Sequence, residues 1–230
     1  MLISTLHINM KTLHINMKNL LKLLSILQLT KEQPVSGYLV TGLKRQEIPN
    51  LADHHYNCIL MAYFLAQKIK ALGVKINERK LILLVMFHDL SELFGGDVAA
   101  PLNRKYTDLK IHKDKIGDRA IDMLAEFMDE KTAAEVRSLY SEFEHGESDE
   151  RWLAKIIDQM EHMLFLEHHN NYQKFINSTC YLNEFLEKHI IRLAENIQNP
   201  QIKKIITDFL EEFKNNFYQR GLQAISFLME

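Results

Sequence analysis

The chain has 230 residues, of which 47% are hydrophobic, so it can bury a full core and is not expected to be disordered. Its 28 Lys and Arg residues nearly balance 30 Asp and Glu residues, which excludes the overall positive charge that drives nucleic-acid binding. No stretch reaches the roughly 18 apolar residues that a membrane span needs. Two widely separated cysteines fit neither a disulfide framework nor a metal-binding pair, so a protein of the reducing cytoplasm is predicted.

The N-terminus contains a short duplication, because residues 6–11 recur unchanged as residues 13–18. Each copy carries a methionine, so residues 1–16 are predicted to be an extended or misassigned start that is mobile, with the domain beginning near Met17. Isolated histidines in such a segment are expected to be solvated and not to bind metal.

Helices should dominate the fold, because eight glycines and four prolines leave little material for the tight turns of an all-β protein. Apolar periodicity predicts helices, in chain order, over residues 17–29, 52–72, 78–94, 110–128, 129–144, 149–169, 179–197 and 200–219. Gly73 should close the second helix and Asn77 should cap the third. The apolar run of the third helix resembles a parallel strand, but its length and the lack of companion strands favour a buried central helix. We predict one all-α domain over residues 17–230, with 38–50 as a loop.

The pair His88-Asp89 ends the most hydrophobic run of the chain, residues 81–87. A neighbouring imidazole and carboxylate can bind one divalent cation at the end of a buried helix, because the metal offsets the cost of placing a charge near a core. Glu92 and Asp97 follow at short spacing. A His-Asp pair by itself is more often a cap or a surface dipeptide, so a metal site requires ligands elsewhere in the chain.

His54 supplies a candidate partner in the second predicted helix. It shares a stripe with Cys58 and Ile69, at the spacing of a core-facing side, and is therefore predicted to point inward. His55 lies about 100° further around the helix and is less well placed, although periodicity does not decide between the two. A core histidine without a metal is the alternative for either residue alone.

Taken together, these residues resemble the signature of the HD superfamily of metal-dependent phosphohydrolases, which has a His, then a His-Asp pair, then a distant Asp. The resemblance implies four metal ligands, namely His54, His88, Asp89 and Asp158. Three stretches resemble the 5′-deoxynucleotidase branch. Residues 155–161 are similar to its Lys-x-x-Asp-Lys-x-Glu helix, residues 88–97 match its His-Asp-x-Ser-Glu followed by Gly-Asp, and residues 41–50 resemble its substrate loop.

This resemblance implies a helical HD-domain bundle with additional C-terminal helices, and a metal-site core at about residues 38–170. It implies one divalent ion, which Mn²⁺, Co²⁺ or Mg²⁺ would satisfy, since two imidazoles and two carboxylates leave positions open for water and a phosphate oxygen. The implied reaction is removal of the 5′-phosphate of nucleoside monophosphates, with deoxyribonucleotides favoured, by attack of a metal-activated water.

The resemblance also implies roles for residues around the metal. Glu92 is expected to orient the attacking water or to protonate the leaving oxygen. Arg45 would hold the phosphate with its guanidinium fork, with Lys44 as a substitute and Lys155 as a helper. Asp97 would assist catalysis and accept a hydrogen bond from the sugar; the alternative for Asp97 is a cap of the turn after the third helix.

The substrate loop departs from the family pattern, because Leu43 replaces the expected aromatic residue and the loop is about two residues shorter. Base and sugar selectivity are therefore left open. The alternative function is a catalytically weak HD-fold protein that binds nucleotides or forms oligomers in a regulatory role. The late helices are rich in Leu and Phe, which suits a homodimer face or the core equally well.

Overall fold

The computed structural model describes residues 17–96, 102, 105, 106, 108–169 and 186–219. The duplicated extension at residues 1–16 and Asp97 lie outside the described residues, so the predictions made for them stay predictions. The described chain is helical and contains no strand, with one isolated bridge between Pro34 and Asn50. The predicted all-α fold class is confirmed.

Eight α-helices are found in the described residues. They are α1 (residues 17–26), α2 (Leu51–Ala71), α3 (Glu78–Phe87), α4 (Asp108–Ala125), α5 (Glu130–His145), α6 (Asp149–His168), α7 (Arg192–Glu195) and α8 (Pro200–Gln219). Shorter 3-10 segments cover Leu27–Lys31, Ser36–Thr41, Arg45–Glu47 and Leu90–Leu93, and a π-helical segment covers Leu186–Ile191.

Polar side chains at the helix starts explain why these boundaries fall where they do. Asn77 accepts a hydrogen bond from the backbone N–H of Lys80 at 3.0 Å, which confirms it as the cap of α3. The hydroxyl of Ser148 accepts from the backbone N–H of Arg151 and caps α6. At the other end of α2, Gly73 adopts a φ of +80°, a left-handed conformation that glycine reaches at little cost and that ends the helix.

The third predicted helix ends earlier than its apolar pattern suggests. We predicted it to continue through Phe94, but α3 ends at Phe87, and after a turn at His88-Asp89 the chain forms the 3-10 segment Leu90–Leu93. The reason is a tighter hydrogen bond, in which the backbone N–H of Glu92 donates to the carbonyl of Asp89 at 2.9 Å. The turn places polar residues just beyond the end of a buried helix.

The described residues fall into two compact units. The first comprises residues 17–40 and 44–53 with the described part of 87–140. In this unit the 3-10 segment Leu90–Leu93 packs against α4 and against the 3-10 segment Leu27–Lys31. Its core contains Tyr38, Leu51, Ile121 and Leu124, which are almost completely buried, so this unit surrounds the 3-10 segment with apolar side chains.

The second unit comprises residues 41–43 and 54–86 with the described part of 141–219. In this unit α7 packs against both α6 and α8. Its core combines Ile69 of α2, Leu84 of α3 and Ile157 of α6, all of them buried. Helix α6 therefore runs through the core of the unit, and its polar side chains near Asp158 lie next to buried apolar side chains. Over the described residues, no helix has the length and apolar character needed to cross a membrane.

Candidate metal centre

His54 lies at the centre of a polar cluster in the second unit. Its side chain is completely buried, so the prediction that it points inward is confirmed. The ring nitrogen Nδ1 is 2.6 Å from Glu161 Oε2, and the other ring nitrogen, Nε2, is 3.3 Å from Asp158 Oδ1. Both carboxylates belong to α6, where residues three apart share a face. Packing between α2 and α6 therefore brings His54 next to Asp158.

The electrostatics around His54 favour a positive charge. Burial acts to lower the pKa of His54, but the adjoining Asp158, Cys58 and Glu161 raise it, and the net pKa lies well above the ordinary value of a histidine. Burial raises the pKa of the Glu161 carboxyl. The hydrogen bond with His54 lowers the same pKa, and the net pKa is below the usual range. The two carboxylates and the imidazole thus form a site that is stabilised by a cation or a proton.

The donor atoms of this cluster fit a divalent metal ion. If His54 donates its Nδ1 proton to Glu161, Nε2 presents a lone pair to the Asp158 carboxylate at 3.3 Å. Two electron-pair donors at that distance repel each other unless positive charge lies between them. A proton can supply that charge, and so can a cation bound by an imidazole nitrogen and a carboxylate oxygen, a donor pair that suits Mn²⁺ or Co²⁺.

Neighbouring side chains hold the cluster in place. Asn57, one turn after His54, donates from Nδ2 to Glu161 Oε1 at 3.2 Å. Gln159 donates to Asp158 Oδ2 at 2.9 Å. The ring centres of His162 and His54 are 5.4 Å apart. His54, Glu161 and His162 each offer one possible ligand atom, and these three atoms lie within 4.8 Å of one another.

Glu161 and His162 were not predicted as site residues. A usable signal for Glu161 was present, because Asp158, Glu161 and His162 lie at positions i, i+3 and i+4 of one helix and share a face. His162 has no ligand spacing in the sequence, so a solvated or core role is the default expectation for it. Its side chain is partly buried, and its Nδ1 lies 3.2 Å from the main-chain oxygen of Asp158.

The other predicted pair lies in the first unit, at the turn after α3. His88 is almost completely buried, and its Nε2 is 3.0 Å from Asp89 Oδ2, whose side chain is one-fifth exposed. An imidazole nitrogen and a carboxylate oxygen are again adjacent, and the Asp89 side chain is the more exposed of the two. This pair is local, since the two residues are neighbours in the chain.

Glu92 follows in the 3-10 segment of the first unit and is also buried. Its carboxylate Oε1 lies 3.5 Å from Lys113 Nζ on α4. The lysine offsets part of the cost of burying the carboxylate. Lys113 was not predicted, and the sequence offers no spacing signal for it, because α4 meets the 3-10 segment only through packing.

The predicted phosphate-binding residues differ in their surroundings. Arg45 is exposed, and its guanidinium donates to the main-chain carbonyl of Glu32 at 3.0 Å. Lys44 is exposed, and its backbone N–H donates to Glu47 at 2.7 Å. Lys155 Nζ lies 3.9 Å above the ring centre of Phe143 and 3.9 Å from Glu144 Oε1, so it contacts an aromatic ring and a carboxylate. The expected roles of these residues stay predictions.

Comparison with known proteins supports the resemblance. The sequence pattern of the HD domain family matches residues 28–215. The chain is 26% identical over 186 residues to the Xenopus laevis protein named 5′-deoxynucleotidase HDDC2, an alignment that covers 78% of this chain and 86% of that protein. It is 23% identical over 198 residues to the Homo sapiens protein of the same name, covering 86% of this chain and 88% of that protein.

A solved structure agrees with this result at the level of the fold. The structure of a predicted metal-dependent phosphohydrolase from Magnetospirillum magnetotacticum superimposes with a TM-score of 0.58 at 17% identity, covering 89% of this chain and 98% of that chain. The family match spans most of the chain, and the described helices and the His and Asp residues agree with it. The chain belongs to the HD domain family and is a hydrolase.

Proposed function

We propose that the chain removes the 5′-phosphate of nucleoside monophosphates, with deoxyribonucleotides as the preferred substrates, in a reaction that depends on a divalent metal ion. The observation that carries this proposal is the buried His54 Nε2 facing Asp158 Oδ1 at 3.3 Å in a chain of the HD domain family. The substrate class is supported by relatives named 5′-deoxynucleotidases, which align over most of both chains.

The proposed ligands of one metal ion are His54, His88, Asp89 and Asp158. In the pair of His54 with Asp158 and in that of His88 with Asp89, an imidazole nitrogen lies within 3.3 Å of a carboxylate oxygen, which supports the assignment. Mn²⁺, Co²⁺ and Mg²⁺ all accept such donors, and the choice among them is left to the experiment. A bound divalent ion supplies Lewis acidity, which makes water a better nucleophile and offsets charge on the phosphoryl group.

Glu92 is the proposed acid–base residue. Its buried carboxylate Oε1 lies 3.5 Å from Lys113 Nζ, and a carboxylate within reach of the attacking water can accept a proton from it. The same carboxyl group, once protonated, can donate that proton to the leaving sugar oxygen. For Asp97 we propose a hydrogen bond to the sugar and an assisting catalytic role, on the strength of the Gly-Asp match alone.

For substrate binding we propose three basic residues, Arg45, Lys44 and Lys155. Arg45 presents a planar fork that can hold two phosphate oxygens at once, and its exposure leaves it accessible to a nucleotide. Its hydrogen bond to the Glu32 carbonyl uses one of five N–H donors, so donors remain for phosphate. Lys44 and Lys155 are proposed to add positive charge for phosphate binding.

The deciding experiment is a phosphate-release assay on a panel of ribo- and deoxyribonucleoside monophosphates, with the protein loaded in turn with Mn²⁺, Co²⁺ and Mg²⁺. We expect turnover that is lost on chelation and restored by metal, and that is higher with deoxyribonucleotides. Asp158→Asn serves as the matched inactive variant. Tight binding of nucleotides without any metal-dependent phosphate release would overturn the proposal and favour the catalytically weak, nucleotide-binding alternative.

We further propose that the protein acts in the cytoplasm and forms a homodimer. Its proposed binding partners are small-molecule nucleotides, and not nucleic acids or membranes. The near balance of charge supports the absence of nucleic-acid binding. Sedimentation equilibrium across a range of protein concentrations tests the dimer, and a monomer at all concentrations would refute it.

A further inference from the structure

The two nitrogens of the His54 ring are held by two different carboxylates of one helix. Glu161 Oε2 lies 2.6 Å from Nδ1, whereas Asp158 Oδ1 lies 3.3 Å from Nε2. The shorter contact has the length of a strong charge-assisted hydrogen bond, and the longer one does not. The ring is therefore oriented mainly by Glu161, and its Nε2 edge faces the carboxylate that is the proposed metal ligand.

Glu161 is itself fixed on both sides. Its side chain is buried, with 3% of the residue exposed, and its second oxygen accepts a hydrogen bond from Asn57 at 3.2 Å. Asn57 and His54 lie three positions apart on α2, so the two oxygens of one carboxylate bind two consecutive turns of the facing helix. Such a bridge leaves the carboxylate little freedom to swing towards another partner.

We propose that Glu161 is a positioning residue, which keeps the proton of His54 on Nδ1 and so directs the Nε2 lone pair towards the metal ion. The inference rests on the proposed metal-dependent function. Histidine ligands commonly donate their second N–H to a carboxylate, which fixes the ring and makes the ligating nitrogen a better donor. Asn57 extends this arrangement by holding Glu161 in place.

His162 occupies a different place in the same cluster. Its Nδ1 lies 3.2 Å from the main-chain carbonyl oxygen of Asp158, one helical turn before it, and its ring stands edge-on to that of His54. That contact gives Nδ1 of His162 a main-chain partner. His162 therefore supports the His54 ring through packing, while Glu161 controls its proton.

Two substitutions of Glu161 separate hydrogen bonding from packing. Glu161→Ala removes the acceptor, whereas Glu161→Gln keeps the shape and a weaker amide acceptor. Mn²⁺ affinity, measured by titration calorimetry, should fall about 10- to 100-fold in Glu161→Ala and by a smaller factor in Glu161→Gln, with Asn57→Ala weaker still in its effect. Glu150→Gln is the matched control on the same helix, because it removes the carboxylate that accepts from the backbone N–H of Asn77 at 2.9 Å.

A second measurement does not depend on the metal. In metal-free protein labelled with ¹⁵N-histidine, the Nδ1–H of His54 should give a downfield proton signal that is protected from exchange, because it is hydrogen bonded in a buried site. We expect the signal in the unmodified protein and in Glu150→Gln, and its loss in Glu161→Ala. If Glu161→Ala fails to fold, the isosteric Glu161→Gln carries the test, with a weakened signal and weakened Mn²⁺ binding as the expected result.

The outcomes distinguish this inference from the function on which it rests. If the unmodified protein binds no Mn²⁺ and releases no phosphate, the proposed function is wrong and the role of Glu161 falls with it. If the unmodified protein binds Mn²⁺ but the Glu161 variants bind it equally well, only the positioning role is wrong. An equal loss in Glu161→Ala and in the Glu150→Gln control would show a general weakening of α6 and would also overturn the inference.

Discussion

The two buried histidines of the proposed metal site are held in opposite ways. His54 depends on a partner 107 residues away in the chain, so its arrangement exists only when α2 and α6 are packed together. His88 has its carboxylate partner at the next position, in the turn that ends α3. Local backbone conformation therefore accounts for one pair, and helix packing accounts for the other. The difference teaches that a short motif can mark half of a site, while the remaining half is a property of the folded core.

The largest expected effect comes from removing one carboxylate of each pair. Asp89→Asn and Asp158→Asn should each abolish metal retention and phosphatase activity while the helical fold is kept, because each removes a ligand charge and no core side chain. Metal content after dialysis, phosphate release and far-ultraviolet circular dichroism are the measurements. If Asp158→Asn loses the metal and Asp89→Asn keeps it, Asp89 is not a metal ligand, and the assignment of His88-Asp89 to the site is wrong.

Glu92→Ala tests the residue that follows the local pair. We expect kcat to fall by about two orders of magnitude or more with metal still bound, since the carboxylate acts on water or on the leaving group. Steady-state kinetics and metal analysis on the same sample check this. Loss of the metal in this variant would instead make Glu92 a ligand.

Gly117→Ala tests how tightly the residues around the 3-10 segment Leu90–Leu93 are packed. A Cβ at this position of α4 would overlap the hydroxyl of Tyr140 and lie 3.3 Å from the Cβ of Ser91, the residue before Glu92. Overpacking of this kind should cost about 1–3 kcal/mol of unfolding free energy, and denaturant titration measures it. Adding Tyr140→Phe removes the overlapping hydroxyl and should recover part of the loss. An unchanged stability in Gly117→Ala would mean that the side chains around the 3-10 segment rearrange at little cost in free energy.

Arg45→Lys has the smallest expected effect. A point charge on a flexible stem cannot orient phosphate as a planar fork does, so KM should rise and kcat should fall, with kcat/KM reduced about tenfold, or about 1.4 kcal/mol. Lys44 should rescue little. Nearly normal kinetics in Arg45→Lys, together with a severe defect in Lys44→Ala, would move the phosphate contact to Lys44 and show that the shortened substrate loop has shifted register.

The helices could be predicted from the sequence because their signals are local. Apolar spacing, the cap at Asn77 and the left-handed glycine after α2 act within a few residues of where they stand, so most helices begin and end within a few residues of the prediction. The end of α3 was missed, because the apolar pattern continues through Phe94 while the backbone tightens into a 3-10 segment after Asp89. An apolar period reports which side of the chain is buried, and it does not report the hydrogen-bond pattern of the last turn.

The chain by itself determined the all-α class, the family and the candidate residues, since composition, periodicity and the spacing of His and Asp are properties of the linear sequence. Only the tertiary structure decided which groups meet. The hydrogen bond between His54 and Glu161 and the approach of Lys113 to Glu92 arise where separate helices pack against their neighbours. Their distances depend on how buried side chains fill the space between those helices, and no local pattern in the sequence records that packing.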